Sequence, residues 1–463
     1  MAFGTVEHFD SGEREGQLTQ AQERFAGKFY YIDTYGCQMN AHDSEKLAGM
    51  LSAMGMAPTD EPRLADVILV NTCCVREHAE NRILGNIGHL ALVKREKPDT
   101  ILGVCGCMTQ QEGAAERLLH KMKHVDLVFG TQNLHELPAL LLAAAQGNDP
   151  VAAVDTAPPV VVEGVPMLRT PSVSAFVTIM YGCDNYCAYC IVPYVRGRER
   201  SRHPDDIVAE VRALAAQGVR EVTLLGQNVN SYGNGEDTRF PALLRRIERE
   251  AEGLQRIRFM TSHPKDLSDE LIETMAASSI VCNQLHLPVQ SGSDAILRRM
   301  NRRYDASQYL EIVRKLRAAM PGIGLTTDII VGFPGETDDD FQRTLELVET
   351  VGYQSAFTFQ YSLRSGTPAS TMEDQVPETV KKERLRRLND LQKDISARLD
   401  KTVIGTRQLV LVEAPSRKRA DQVCGRTDGG RMVNLEGPES LIGCVLPVEI
   451  TKAMANTLVG RLV

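Results

Sequence analysis

Residues Ala175 to Cys190 read AFVTIMYGCDNYCAYC, a short apolar strand followed at once by three cysteines, Cys183, Cys187 and Cys190, on one loop. That strand opens a regular alternation: EVTLLG from Glu221, IRFMTS from Ile257, NQLHLP from Asn283, GLTTDIIVG from Gly324 and AFTFQYS from Ala356, with amphipathic helical stretches between them. Short apolar runs separated by helix-period segments predict β/α units around a parallel sheet. One of the helices starts at Pro204, Asp205 and Asp206, a favourable first turn, and sets Ile207, Val211, Leu214 and Ala215 on one face. Six such right-handed units over residues 175–401 predict a partial (β/α)6 barrel with its chemistry at the C-terminal ends of the strands.

Upstream of the barrel, residues 148–174 contain Pro150, Pro158, Pro159, Pro166 and Pro171, which cannot continue a helix and predict an extended linker. Residues 28–147 repeat the strand-then-helix pattern at FYYIDTY, DVILVNT, TILGVCG and VDLVFG, and predict a small doubly wound α/β domain with a parallel sheet. Residues 1–27 are polar, with few aliphatics, and read as a loose arm. After a charged helix from about Glu378 to Lys401, residues 402–463 change to β-branched alternation with glycine turns, the pattern of a small antiparallel β-barrel. This tail is weakly basic, which suits either an RNA-holding appendage or a plain structural cap.

The 463-residue chain is 43% hydrophobic and 24% charged, with no Trp, which is ordinary globular usage. No apolar run approaches the roughly 18 residues of a membrane span. The N-terminal stretch lacks the basic flank and apolar segment of a secretory signal, so a cytoplasmic protein is expected, working as a monomer. A net charge of −8 excludes attraction of a polyanion by the surface as a whole and leaves local basic patches. Arg196, Arg198, Arg200 and Arg202 form one beside the thiol loop, placed either to meet phosphate or to brace the fold against acidic partners. Arg298, Arg299, Arg302 and Arg303 form a second, and the run from Lys381 to Arg387 reads as a solvated helix face.

Eleven cysteines in a reducing compartment point to metal or catalysis rather than to disulfides. Three thiolates on one loop can hold three irons of a cubane cluster and leave the fourth open to a cofactor. A structural zinc site would need a fourth ligand, and the next candidates, His203 and Cys282, lie outside the loop. A second set is less local: Cys37, Cys73 and Cys107 each follow the end of a successive strand of the N-terminal domain, one β-α-β repeat apart, so a parallel sheet gathers them at one edge. Cys74 and Cys105 compete for places in that set. Cys105, Cys282, Cys424 and Cys444 read as small buried hydrophobes. In the barrel, Gly226, Gln227 and Asn228 follow the second strand, Gln290 and Ser291 the fourth, and the GFPGE segment from Gly332 the fifth, positions that suit a ribose and an amino-acid head.

The CxxxCxxC loop after the first barrel strand resembles the radical S-adenosylmethionine superfamily, over Ala175 to about Lys401. TYGCQMN from Thr34, NTCCVRE from Asn71 and CGCM from Cys105 resemble the N-terminal domain of the methylthiotransferase family, and the tail resembles that family's TRAM RNA-binding domain. The resemblance implies two [4Fe-4S] clusters, one on Cys183, Cys187 and Cys190 and an auxiliary one on Cys37, Cys73 and Cys107. It implies one S-adenosylmethionine as methyl donor and a second as source of a 5′-deoxyadenosyl radical, with Tyr189 near the adenine. Within the family, YGCQMN, GQNVNSYG and LPVQSGS look like the branch that acts on isopentenylated adenosine beside the anticodon of tRNA. The alternatives are threonylcarbamoyl-adenosine and a ribosomal-protein side chain. A flavodoxin- or ferredoxin-like electron donor is implied as a further partner. The doubled cysteine in NTCCV is a local departure, and its position after NTC favours Cys73 over Cys74.

Overall fold

The computed structural model describes residues 6–9, 12–74, 77–147, 149–155, 160–416, 419, 421–455 and 457–463. The chain divides into two compact units: Met1–Pro171 with Met180–Asp184 and Cys190–Arg202, and the remainder to Val463.

The first unit is built on an all-parallel sheet. Its spatial order is Ala57–Pro58, Phe29–Thr34, Val67–Thr72, Ile101–Gly106, Leu127–Phe129 and Val151–Ala153. This is a doubly wound order whose switch point falls between Phe29–Thr34 and Val67–Thr72, where such sheets place ligands. Val67–Thr72 and Ile101–Gly106 are buried along their whole length, which explains why they read as continuous apolar runs. Alternate residues serve two cores: Leu69, Cys105, Leu127 and Phe129 on one face, Ile68, Val70, Leu102, Val104 and Val128 on the other.

Two expectations about this unit change. The loose arm contains the helix Glu13–Phe25, whose Leu18, Ala21 and Phe25 form a narrow stripe packed with Leu47 and Met50. Three apolar side chains at helical spacing were outweighed in the sequence by their polar neighbours. The expected linker also contributes two strands among its described residues. Val151–Ala153 is the sixth strand of the sheet, and Val161–Glu163 pairs in parallel with Val6–His8. Leu168 then hydrogen-bonds the Glu45 carbonyl, and Arg169 meets the Glu45 carboxylate at 3.0 Å. Its Pro158 and Pro159 lie outside the described residues.

In the second unit, Ser174–Thr178, Glu221–Leu225 and Arg256–Phe259 form one parallel sheet, and Gln284–His286, Gly324–Val331 and Ser355–Gln360 another. A parallel bridge from Ile257 to Val281 joins them. The six strands therefore run in sequence order, and no pairing closes the last onto the first among the described residues, as a partial barrel requires. Helix Pro204–Ala216 buries Ile207, Val211, Leu214 and Ala215 as its spacing predicts, and His203 caps it.

The tail closes into a five-stranded barrel around Val410, Val412, Val423, Val433, Leu435, Val448, Ile450 and Leu458. One seam departs from the antiparallel expectation: Met432–Glu436 and Leu458–Leu462 pair in parallel. The tail is clamped to the N-terminal ends of the larger barrel's strands. Arg256 donates to the carbonyls of Arg426 and Leu409 at 2.6 and 2.8 Å, and Arg258 to those of Thr427 and Asp428 at 2.8 and 3.0 Å. Arg258 is held in turn by Glu221 at 2.9 Å.

Candidate functional site

At the C-terminal edge of the first unit's sheet, Asn40 is the organising residue. Fully buried, it donates through Nδ2 to the carbonyls of Tyr35 and Thr72, both at 2.8 Å, and so ties the ends of two neighbouring strands together. Its Oδ1 lies 3.9 Å from the Cys37 sulfur and 3.8 Å from the Cys107 sulfur. Cys73 completes the group through Gly36, which has φ +120°; a Cβ built there would stand 2.9 Å from the Cys73 sulfur. A side chain at position 36 would push Cys37 and Cys73 apart.

Cys74 also belongs to this edge. It hydrogen-bonds Cys107 and packs with Ile191 and Val195. That bond, together with the charge of Arg196, pulls the Cys107 thiol down to about 6 against the opposing effect of burial. Cys105 points into the core beside Leu69 and Leu127, and burial pushes its thiol up, as expected of a small hydrophobe. Cys282 is likewise buried, whereas Cys424 is half-buried and Cys444 exposed, so the hydrophobe reading fails for Cys444. Among the described residues no group of three or more His, Cys, Asp or Glu could share a single metal ion. A cubane asks something different, one thiolate on each of three irons.

The bracing alternative holds for Arg196, Arg198 and Arg202, whereas Arg200 donates to the carbonyls of Arg196 and Arg198 at 3.4 and 3.0 Å. Arg196 is buried and donates to Asn40 Oδ1 at 3.0 Å and Asp43 Oδ2 at 2.7 Å. Arg202 is buried against Glu163 at 2.7 Å. Arg198 remains on the surface, paired with Asp184 at 3.0 Å. Arg196 and Asp43 sit on segments far apart in sequence, so only the charge run was visible beforehand.

In the second unit the centre of the cysteine loop, Asn185–Tyr189, is pinned from residues 300–302. Ala188 donates to the Met300 carbonyl at 2.9 Å, and Asn301 to the carbonyls of Asn185 and Tyr186 at 3.2 and 2.8 Å. Asn301 adopts φ +58°, a left-handed conformation that asparagine tolerates. Arg302, expected in a surface patch, is buried and donates to the Cys187 sulfur at 3.3 Å and the Tyr189 hydroxyl at 3.5 Å. Tyr189 packs against Ala188, Met300, Phe333 and Tyr361.

The residues expected at the strand ends divide by what they touch. Gly226 is buried just past the second strand. Gln227 Oε1 and Gln290 Oε1 are buried with no partner among the described residues, and so are Asn230 Oδ1 and Ser262 Oγ, which sequence reasoning missed. Orphaned polar atoms at successive C-terminal strand ends fit a ligand rich in N–H and O–H groups, as the head and ribose of S-adenosylmethionine are. Asn228 has structural partners instead, donating to Asp266 at 2.7 Å and accepting from the His263 amide at 3.0 Å. Ser291 is engaged with Thr344 at 3.3 Å and the Ser293 amide at 3.2 Å. Gly332, with φ +69°, makes room for Lys381, whose Cγ would stand 2.3 Å from a Cβ there. The run from Lys381 to Arg387 is correspondingly not all solvated: Lys381 and Arg384 are buried, with Arg384 paired to Glu336 at 2.9 Å and Asp338 at 2.7 Å.

Comparison with known proteins agrees with this geometry. Residues 29–130 match the uncharacterized protein family UPF0004, residues 177–348 the radical SAM superfamily, and residues 401–463 the TRAM domain. Among solved structures, the radical S-adenosylmethionine methyltransferase TsrM from Kitasatospora setae, with tryptophan and an S-adenosylmethionine analogue bound, superposes with a TM-score of 0.58. The match covers 74% of each chain at 16% identity and is a likeness of fold. A thiol loop after the first strand of a partial barrel, joined to a doubly wound domain and a TRAM barrel, defines a radical S-adenosylmethionine methylthiotransferase. The tRNA-2-methylthio-N(6)-dimethylallyladenosine synthase of Carboxydothermus hydrogenoformans is 52% identical over 440 residues, covering 95% of this chain and 100% of its own. That of Clostridium beijerinckii is 48% identical over 456 residues, covering 98% and 99%. The chain belongs to the tRNA-2-methylthio-N(6)-dimethylallyladenosine synthase family.

Proposed function

We propose that this protein transfers a methylthio group to C2 of N6-isopentenyladenosine beside the anticodon of tRNA, using one S-adenosylmethionine as methyl donor and another as radical source. The observation that carries the reading is the presence of two thiol sets, one at the C-terminal ends of parallel strands of the first unit and one on the loop after Ser174–Thr178, in a chain 52% identical to a relative named for that product. C2 of adenine is an unactivated C–H position that neither acid nor base opens at neutral pH. Two [4Fe-4S] clusters and S-adenosylmethionine, when bound, supply the one-electron chemistry that does.

Cys183, Cys187 and Cys190 would hold the cluster that meets S-adenosylmethionine, and Cys37, Cys73 and Cys107 the auxiliary one. Asn40 fixes the positions of Cys37 and Cys107; Cys73 and Cys107 are buried, whereas Cys37 is exposed. Gln227 and Gln290 offer acceptors to the cofactor's polar groups, and Tyr189 offers a ring to its adenine. Asn228, Ser291 and Gly332 act one layer back, through the loops they hold. The tail barrel grips tRNA, a flavodoxin- or ferredoxin-like protein delivers electrons, and the enzyme works as a cytoplasmic monomer. No helix among the described residues is long and apolar enough to cross a membrane.

The test is mass analysis of tRNA nucleosides after anaerobic incubation with the reconstituted protein, reductant and S-adenosylmethionine. The 2-methylthio derivative of isopentenyladenosine is expected, with unmodified adenosine a poor substrate because the prenyl chain can fill an apolar pocket worth a few kcal/mol. Faster turnover of threonylcarbamoyl-adenosine or of a ribosomal protein would overturn the choice of substrate.

A further inference from the structure

Arg302 is a buried cation, and none of its partners among the described residues is a carboxylate. Nε donates to the Tyr304 hydroxyl at 3.0 Å, Nη2 to the Pro288 carbonyl at 3.0 Å, and Nη1 to the Cys187 sulfur at 3.3 Å and the Tyr189 hydroxyl at 3.5 Å. Its guanidinium also lies 5.1 Å from the centre of the Tyr304 ring. A buried cation needs a negative partner or it destabilises the fold. Two other deeply buried arginines of this unit do have such a partner, Arg258 with Glu221 at 2.9 Å and Arg384 with Glu336 at 2.9 Å, whereas Arg256 is held by the carbonyls of Arg426 and Leu409. What distinguishes Arg302 is its contact with the thiol loop, where it donates to the sulfur of Cys187.

We propose that Arg302 tunes the reduction potential of the cluster on Cys183, Cys187 and Cys190, acting as an uncompensated buried cation hydrogen-bonded to the Cys187 sulfur. The inference rests on the assignment of Cys187 as a cluster ligand. Reduction transfers one electron from the low-potential protein donor to the cluster and adds one negative charge to a site already made negative by thiolates. A fixed positive charge and an N–H···S bond both favour that added charge, and hydrogen bonds to the sulfurs are among the features that set cluster potentials. The planar fork matters because four partners are held at once, which a lysine cannot do. The backbone supports the placement: Met300 and Asn301 pin the loop on either side of Cys187, so the sulfur and the guanidinium cannot drift apart independently.

The experiment is an EPR-monitored redox titration of the reconstituted full-length protein without tRNA. The barrel cluster is identified by the change its signal undergoes when S-adenosylmethionine is added. Arg302→Gln should leave the cluster at least tenfold less reduced at a fixed potential, a midpoint about 59 mV more negative. Arg302→Lys keeps the charge but loses the fork, and should show a smaller shift of the same sign. Arg303→Gln removes a neighbouring exposed charge and should leave the midpoint where it is. If Arg302→Gln fails to retain the cluster, Arg302→Lys carries the test. A wild-type midpoint in every Arg302 variant that retains the cluster, or an equal shift in Arg303→Gln, would overturn the proposal. Iron content in Cys187→Ala tests the premise separately, because retention of a full cluster there removes Cys187 as a ligand. Since no tRNA is present, none of these results depends on which nucleoside the enzyme modifies.

Discussion

The two thiol edges solve one problem with opposite means. In the first unit Cys37, Cys73 and Cys107 come from three strand ends, and the buried arginine beside them is matched by Asp43 at 2.7 Å. Asp43 offsets part of the charge of Arg196, which still helps lower the Cys107 thiol, and the pair holds Asn40 between two sulfurs. In the barrel the ligand candidates come from one loop, and buried Arg302 has no carboxylate partner among the described residues but donates to the Cys187 sulfur. The first edge is built for position and the second for potential. That division matches the two jobs: one site must present sulfur to a base, and the other must accept an electron at low potential.

The largest effects should come from separating the sets. Replacing Cys183, Cys187 or Cys190 by Ala should abolish both 5′-deoxyadenosine and the methylthio nucleoside. Replacing Cys37, Cys73 or Cys107 should abolish the nucleoside while reductive cleavage of S-adenosylmethionine continues, as chromatography of the small products would record. Anaerobic reconstitution should give about eight irons per chain, and about four when either set is removed. Cleavage lost in a folded Cys73→Ala protein with an intact barrel cluster would break the comparison.

A second effect follows from the matched pair. Asp43→Ala leaves Arg196 buried without its carboxylate and should destabilise the first unit by about 3–5 kcal/mol, seen as a lower urea midpoint for that unit. Asp43→Asn keeps a hydrogen-bond acceptor and should cost less. An unchanged midpoint in Asp43→Ala would mean that water reaches Arg196 and that the first edge is not sealed.

Removal of the tail after Lys401 should act more mildly on chemistry than on substrate. Cleavage of S-adenosylmethionine should survive, because the thiol loop lies at the far ends of the strands, while turnover of tRNA should fall and regain ground at low salt if phosphate contacts dominate. Thermal stability should also drop, since Arg256 and Arg258 lose four carbonyl partners. The smallest change should be Cys74→Ala, which removes the hydrogen bond to Cys107 but no strand-end ligand; product formation should persist. Loss of the auxiliary cluster in that variant would move the ligand from Cys73 to Cys74.

What the sequence made legible was whatever repeats or stays local. The CxxxCxxC loop needs only its own spacing, and Cys37, Cys73 and Cys107 could be brought together because each follows a strand of a parallel sheet. Partners on distant segments could not be read. RGRERSR and RRMNRR look like phosphate-binding runs, yet Arg196, Arg202 and Arg302 are interior, because Asp43, Glu163 and Cys187 are supplied by the fold. Gly332 suggested close approach of a cofactor, and close approach is what it permits, but the neighbour is Lys381. The helix Glu13–Phe25 was hidden because its apolar stripe is narrow, and the parallel seam of the tail barrel because strand polarity leaves no mark on β-branched alternation.

The clamp of Arg256 and Arg258 on the tail gives the enzyme a built-in ruler. The tail barrel is fixed at one end of strands that run four or five residues in this part of the sheet, and at about 3.3 Å per residue their far ends stand roughly 13–17 Å away. A nucleic acid held by the tail therefore cannot offer it the same nucleotide that enters the mouth of the larger barrel. A tail that holds RNA as proposed therefore reads another part of the molecule, at a set distance. An RNA too short to span that gap is handled by the barrel mouth alone, and the selection of a whole folded tRNA over a fragment becomes a matter of length and shape.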